Sequence, residues 1–438
     1  MESFFNPKTI ALIGASNKKG KIGNDIFNNL KTSKSKIIPV NVNKEKIGGQ
    51  RAYASIKDYS GKIDLAIIVI PAKFVLDILK ECGEKKIKSA IIISAGFGEM
   101  GNKELDKEVY EVSKKYNIRI LGPNCLGILN LNNNLNASFY KGKILTGGIS
   151  FISQSGAIGV AILDKSVNEN ISFSKFISVG NMLNTDFSDY IDYLCKDKNT
   201  KVICLYIEGI KDGEKFVQAI KNCKKPIIAL KAGFTSTAMK AITSHTGSLA
   251  GDSKIYDSIF NQFGIIKVDN LNEMFSLAKH LSVNVKPKSK NVCVITNAGG
   301  MGVLCSDACE SNGLTITELP KKIKDEIDKV LPTHWSKSNP IDVLGDALAS
   351  RYESVLNILL KSDFYDIFLF ILTPQSNTEV EKSMQALINF KLKNSKAAVF
   401  SCMVGGEKII KSLKMANENN IINFIEPYNF AKTVSKLF

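Results

Sequence analysis

One local pattern recurs through the chain and limits its fold more than any other feature. A short apolar run ends in a turn of glycine and small polar residues, and a helical pattern follows. Residues 9–13 run into Gly14-Ala15-Ser16, residues 148–152 into Ser153-Gln154-Ser155-Gly156-Ala157, and residues 291–296 into Asn297-Ala298-Gly299-Gly300. Strands that alternate with helices in this way form parallel, doubly wound sheets. Such sheets bind ligands at the carboxyl ends of their strands, so the turns are where function is expected.

The pattern divides the chain into three α/β segments. The first has strands expected at 9–13, 37–42, 65–70, 90–93 and 119–121, with helices over 24–30, 74–80 and 103–116. The second has strands at 148–152, 173–179, 202–207, 226–231 and 265–268. The third follows a polar, proline-bearing linker, Val285-Lys286-Pro287-Lys288-Ser289-Lys290. Its strands are expected at 291–296, 367–372, 397–402 and 421–424, with an irregular stretch over 331–343 that holds the single tryptophan. The domains are placed at 1–130, 146–285 and 291–438, in keeping with about 150 residues per domain. No repeat is short enough for a solenoid.

Composition removes several classes. The formal charge is +16, but the lysines are spread along the chain without interleaved aromatics, so no nucleic-acid partner is expected. No run of 18 apolar residues predicts a membrane span, and the start lacks the pattern of a signal peptide. The nine cysteines are scattered without a CxxC pair. They read as reduced thiols of a cytoplasmic protein.

The strand ends of the first segment supply a candidate crevice. Gly14, Ala15 and Ser16 leave the first strand where a phosphate-binding turn belongs, followed by Lys21. The glycines do not fit G-x-G-x-x-G. No acid ends the second strand, where an NAD site would hold the ribose; Lys44 stands there and suits a phosphorylated ribose. An NAD-dependent oxidoreductase is therefore disfavoured. Pro71 ends the third strand. Ser94-Ala95-Gly96-Phe97-Gly98-Glu99 ends the fourth, and Gly122-Pro123-Asn124-Cys125 the fifth.

The second segment supplies chemistry. A strand, the Ser155-Gly156 turn and a helix expose backbone N–H groups at a positive helix end, which is an anion site. Glu208 ends one strand, and His245 lies in the small-residue stretch after the next, Thr243-Ser244-His245-Thr246-Gly247-Ser248. A carboxylate that accepts one imidazole N–H leaves the other nitrogen free to attack phosphorus. Of the other two histidines, His280 receives no role, and His334 is read as a packed loop residue in preference to a site residue.

These motifs, taken in order, resemble the alpha subunit of the ADP-forming (NDP-forming) acetyl-CoA or acyl-CoA synthetases, in the succinyl-CoA synthetase superfamily. The resemblance rests on Ile13-Gly14-Ala15-Ser16 with Lys21-Ile22-Gly23, on Ser94 to Glu99, and on Gly122-Pro123-Asn124-Cys125-Leu126-Gly127. It continues through Ser153-Gln154-Ser155-Gly156-Ala157, Ser178-Val179-Gly180-Asn181 and Tyr206-Ile207-Glu208-Gly209. Its last members are Ser244-His245-Thr246-Gly247-Ser248-Leu249-Ala250-Gly251 and Asn339-Pro340-Ile341-Asp342.

The resemblance implies a Rossmann-like CoA-binding domain followed by two flavodoxin-like α/β domains. It implies the reaction acyl-CoA + ADP + phosphate ⇌ carboxylic acid + ATP + CoA, through an acyl phosphate and a phosphohistidine. His245 matches the phosphorylated histidine, Glu208 the glutamate that orients it, and Ser155 and Gly156 the helix end that holds phosphate. CoA is expected along Gly14, Ala15, Ser16, Lys21, Lys44, Pro71, Ser94, Gly96, Phe97, Asn124 and Cys125, with Cys125 lining the pocket rather than reacting. No metal site is expected in the chain. No segment reads as an ATP-grasp domain, so ADP/ATP and Mg²⁺ are expected on a beta subunit in an alpha/beta heteromer, or on a domain fused downstream. The competing reading is a non-catalytic CoA-binding regulatory module.

Overall fold

Apolar strands bounded by helices bury both faces, and the first sheet shows how. Its strands are β1 (Thr9–Ile13), β2 (Lys36–Val40), β3 (Leu65–Ile68), β4 (Ser89–Ile92) and β5 (Arg119–Leu121). All pair in parallel in the order β2-β1-β3-β4-β5. Ile10, Leu12, Ile67 and Ile91 enter one core, while Ala11, Ile13, Ile68 and Ile92 enter another on the opposite face. The alternation of side chains along each strand divides the two sets. The computed structural model describes residues 1–43, 46–235, 237–239 and 253–438. They fall into two compact units, Met1–Met274 and Phe275–Phe438.

The first unit also holds a seven-stranded sheet. Its strands are β6 (Gly127–Asn130), β7 (Leu135–Ser138), β8 (Leu145–Ser153), β9 (Ser172–Ser178), β10 (Val202–Ile207), β11 (Ile227–Lys231) and β12 (Ile266–Lys267). They lie in the order β12-β11-β10-β8-β9-β6-β7. Strands β8 to β12 are parallel, whereas β6 runs antiparallel to both β9 and β7. The β6–β7 hairpin falls between the strands expected at 119–121 and 148–152, where none was expected. Asn134 adopts a left-handed conformation at φ 58° and turns the chain back.

The second unit carries β13 (Asn291–Thr296), β14 (Thr315–Ile316), β15 (Ile341–Asp342), β16 (Ile367–Leu372), β17 (Ala398–Met403) and β18 (Ile422–Asn423). Their order is β14-β13-β16-β17-β18, with β15 paired to β13. The irregular stretch 331–343 is packed structure. Trp335 is buried and its indole N–H donates to Asp328 Oδ1 at 2.7 Å. Asn339 Oδ1 accepts the Val294 N–H, and its Nδ2 donates to the carbonyls of Val292 and Thr317, which sets β15 beside β13.

Apart from the hairpin and β15, all three sheets share one winding. Counting parallel strands in chain order, each reads 2-1-3-4-5, the flavodoxin-like order. The order reverses between β1 and β3, between β8 and β10, and between β13 and β16, which places a crevice at each pair of carboxyl ends.

The cysteine expectation needs a correction. Cys195 and Cys223 form a disulfide with their Cα atoms 5.4 Å apart. Cys195 lies in the last turn of helix Phe187–Lys196 and Cys223 just beyond helix Gly213–Lys221. Their separation of 28 residues hides this contact, because the chain passes through β10 and returns. The other seven cysteines are free and buried. Among the described residues no helix is long and apolar enough to cross a membrane.

Candidate functional site

At the β1/β3 reversal the chain leaves β1 through Gly14, whose φ of 93° suits glycine. The N–H groups of Gly14 and Ala15 both donate to the Val40 carbonyl, at 3.0 and 3.3 Å. They are therefore spent inside the fold. Helix Ile22–Leu30 begins against this turn. Gly23 makes the approach possible, since a β-carbon there would overlap the Gly14 carbonyl oxygen and stand 3.0 Å from its carbon.

A cavity of about 940 Å³ opens here and reaches the β8/β10 reversal of the second sheet. From the first sheet it is lined by Gly14, Ser16, Lys21, Pro71 and Ser94. Asn124, Cys125, Ser155 and Gly156 line it further along. The structure thus gathers nine of the expected contact residues at one cavity.

Three expected CoA contacts are not among its lining. Ala15 is fully buried in the core. Phe97 is also fully buried, on the other face of the sheet. The N–H groups of Gly96 and Phe97 both donate to Glu99 Oε1. Glu99 Oε2 accepts from Asn181 Nδ2, and Lys211 Nζ donates to the carbonyls of Asn181 and Met182 at 2.8 and 2.9 Å. Burial raises the Glu99 carboxyl, but hydrogen bonds from Gly96, Asn181 and Phe97 outweigh it and hold the group below the ordinary glutamate value. The Ser94–Glu99 and Gly180-Asn181 motifs therefore tie the carboxyl ends of two sheets together. Lys44 and His245 lie outside the described residues.

Cys125 is 5% exposed, and its thiol donates weakly to the Ile92 carbonyl at 3.4 Å. Burial pushes this thiol up to about 12, so it is not a thiolate near neutral pH. Ser155 caps helix Gly156–Ser166, and its hydroxyl accepts the Ile158 N–H at 3.3 Å. The Gly156 and Ala157 N–H groups lack intrahelical acceptors, and both residues line the cavity at the positive helix end.

Two residues escaped the sequence reading as site residues. Gln154 lines the cavity, and its Oε1 accepts the N–H groups of Glu208 and Gly209 at 2.6 and 2.9 Å. Lys231 ends β11 in register with Ile207 and is 2% exposed. Its Nζ donates to the Glu208 carbonyl at 3.0 Å and to the Ala232 carbonyl. Burial lowers Lys231 to about 8 against the opposing pull of Glu208. A lysine closing an apolar strand was the available signal for Lys231. For Gln154 it was its place between the two serines of the quoted turn.

This geometry, an extended cavity that reaches a helix N-terminus, agrees with the domain matches. Residues 8–130 match a CoA-binding domain, residues 146–281 a succinyl-CoA-ligase-like flavodoxin domain, and residues 292–412 a ligase-CoA domain. Together they define an acid–thiol ligase that acts on CoA. The chain is 42% identical to the alpha subunit of acetate–CoA ligase [ADP-forming] II of Pyrococcus furiosus, over 98% of this chain and 96% of that one. It is 42% identical to acetate–CoA ligase [ADP-forming] of Methanocaldococcus jannaschii, over 99% of this chain but only 62% of that longer one. The solved structure of a Ca. Korarchaeum cryptofilum dinucleotide-forming acetyl-coenzyme A synthetase 1, in complex with phosphate and ADP, superposes with a TM-score of 0.95 at 35% identity. It covers 100% of this chain and 96% of that one. The chain belongs to the family of ADP-forming acetate–CoA ligases and corresponds to their alpha subunit.

Proposed function

We propose that this chain carries out the phosphoryl-capturing half of the ligase reaction, with His245 as its nucleophile. Acyl-CoA lies along the cavity from the Gly14 turn to Ser155. A phosphate oxygen adds to the thioester carbon, the C–S bond breaks, and CoA leaves as thiolate. The acyl phosphate is held at the Gly156 helix end. An imidazole nitrogen of His245 then attacks phosphorus, the P–O bond to the acyl group breaks, and the carboxylate departs. Glu208 accepts the other imidazole N–H, fixes the tautomer and stabilises the cationic phosphoimidazole. The domain division at 1–130, 146–285 and 291–438 belongs to the same proposal.

The observation that supports this reading best is the single cavity shared by the β1/β3 turn and Ser155-Gly156. The second half of the reaction, transfer from phospho-His245 to ADP with Mg²⁺, belongs to an ATP-grasp beta subunit. The alpha-subunit relatives support a separate partner, and the longer relatives support fusion of the same parts in one chain. Incubation with acetyl-CoA and labelled phosphate is expected to yield an acid-labile label that His245→Ala abolishes. No label on the wild-type chain would instead favour a CoA-binding regulatory module.

A further inference from the structure

The amide of Gln154 is oriented by its neighbours. Its oxygen accepts two backbone N–H groups, from Glu208 and Gly209, so the other end of the amide must be the NH₂ donor. Gln154 is 8% exposed and its Nε2 has no hydrogen-bond partner among the described residues. The residue lines the cavity directly before the capped start of helix Gly156–Ser166, beside Ser155, Gly156 and Ala157. A donor without a protein acceptor in the wall of this cavity is free to bond a ligand oxygen.

We propose that Gln154 is a catalytic residue whose Nε2 donates a hydrogen bond to a phosphoryl oxygen of the acyl phosphate held at this helix end. The inference rests on the phosphoryl-transfer reading above. Two N–H groups of the helix and the Gln154 amide then converge on one phosphoryl group from different elements. As the N–P bond forms and the P–O bond to the acyl group breaks, negative charge on the equatorial oxygens meets donors already in place. The same amide holds the Glu208 backbone through its oxygen, so the phosphate site and the carboxylate expected to orient the imidazole share one rigid link.

Gln154→Glu separates the two functions of the side chain. A glutamate has the same shape and retains an oxygen for the Glu208 and Gly209 N–H groups, but replaces the donor with an anionic acceptor. The full chain is incubated with acetyl-CoA and labelled phosphate, and the rate of acid-labile labelling is measured with the melting temperature. The expected result is labelling about 100-fold slower or more, as when one preorganised donor is lost, at a temperature where the melt shows the variant folded. Partial recovery is expected as the pH falls and the new carboxyl is protonated into a donor. Labelling by Gln154→Glu within about threefold of wild type would overturn the proposal. If this variant unfolds, Gln154→Met takes its place. Loss of labelling with CoA binding and melting temperature both retained supports the assignment, and wild-type labelling overturns it. Absence of label on the wild-type chain itself would refute the underlying function and this inference with it.

Discussion

Gly23→Ala tests whether close packing of a helix against the first-strand turn shapes the cavity proposed to take CoA. The added β-carbon would overlap the Gly14 carbonyl oxygen and stand 3.0 Å from the Gly14 carbonyl carbon and 3.5 Å from the Ala15 Cα. These are backbone atoms, so no rotamer change relieves the contact. Restoring ordinary separation requires the turn or the helix to retreat by more than about 1 Å. Overpacking of this kind costs about 1–3 kcal/mol, or roughly 3–10 °C in melting temperature for a unit of this size. The displaced atoms also line the cavity. A misplacement of about 1 Å at a binding turn is expected to weaken CoA binding by at least ~10-fold. Calorimetric titration with CoA and a thermal melt measure both effects. Gly213→Ala is the control, since a β-carbon there meets nothing within 4 Å. If Gly23→Ala binds CoA and melts like wild type, the close approach does not shape the site.

The other predictions concern groups that the fold buries. His280 is 1% exposed, hydrogen-bonds through Nε2 to the Val285 carbonyl, and is lowered by burial to about 4. The folded chain refuses a proton that the unfolded chain takes up, so stability falls as pH drops from about 6.5 toward 4, by up to ~3 kcal/mol. Urea midpoints across that window should be flatter in His280→Leu, and an identical slope would contradict this account. Lys175 and Asp197 pair at 2.6 Å, with the lysine side chain 2% exposed. Asp197→Asn strands that lysine and should cost about 3–5 kcal/mol, more than Lys175→Met; equal losses would count against the pairing. Thiol counting in denaturant should return seven groups before reduction and nine after, from the Cys195–Cys223 bond. Reduction should also lower stability by about 3 kcal/mol for a loop of this length.

Much of the fold was legible because strand and helix signals are local. The apolar runs that became β1, β10, β13 and β16 are continuous, and each ends in polar residues or glycine. The β6–β7 hairpin was not legible, since its strands are short and its turn is asparagine. Strands β14 and β15 are only two residues each and form by docking on β13. Ser155 and Gly156 were readable from the strand–turn–helix pattern, and the structure places them in the cavity. Phe97 was misread as a contact because its motif looked like a ligand turn, whereas its ring fills a core. Glu99 of that motif accepts from Asn181, while Ser94 lines the cavity.

The sequence by itself determined the three doubly wound layers, the turns that can carry function, and the ordered motifs that mark the family. Those features depend on residue type and spacing along a short stretch of chain. Only the tertiary structure decided which turns share a cavity, that the Gly14 and Ala15 amides are spent on Val40, and that Cys195 meets Cys223. It also decided that Gln154 joins the start of helix Gly156–Ser166 to Glu208. These outcomes depend on contacts between distant segments, and a hydrogen bond between residues 54 positions apart leaves no periodic trace in the sequence.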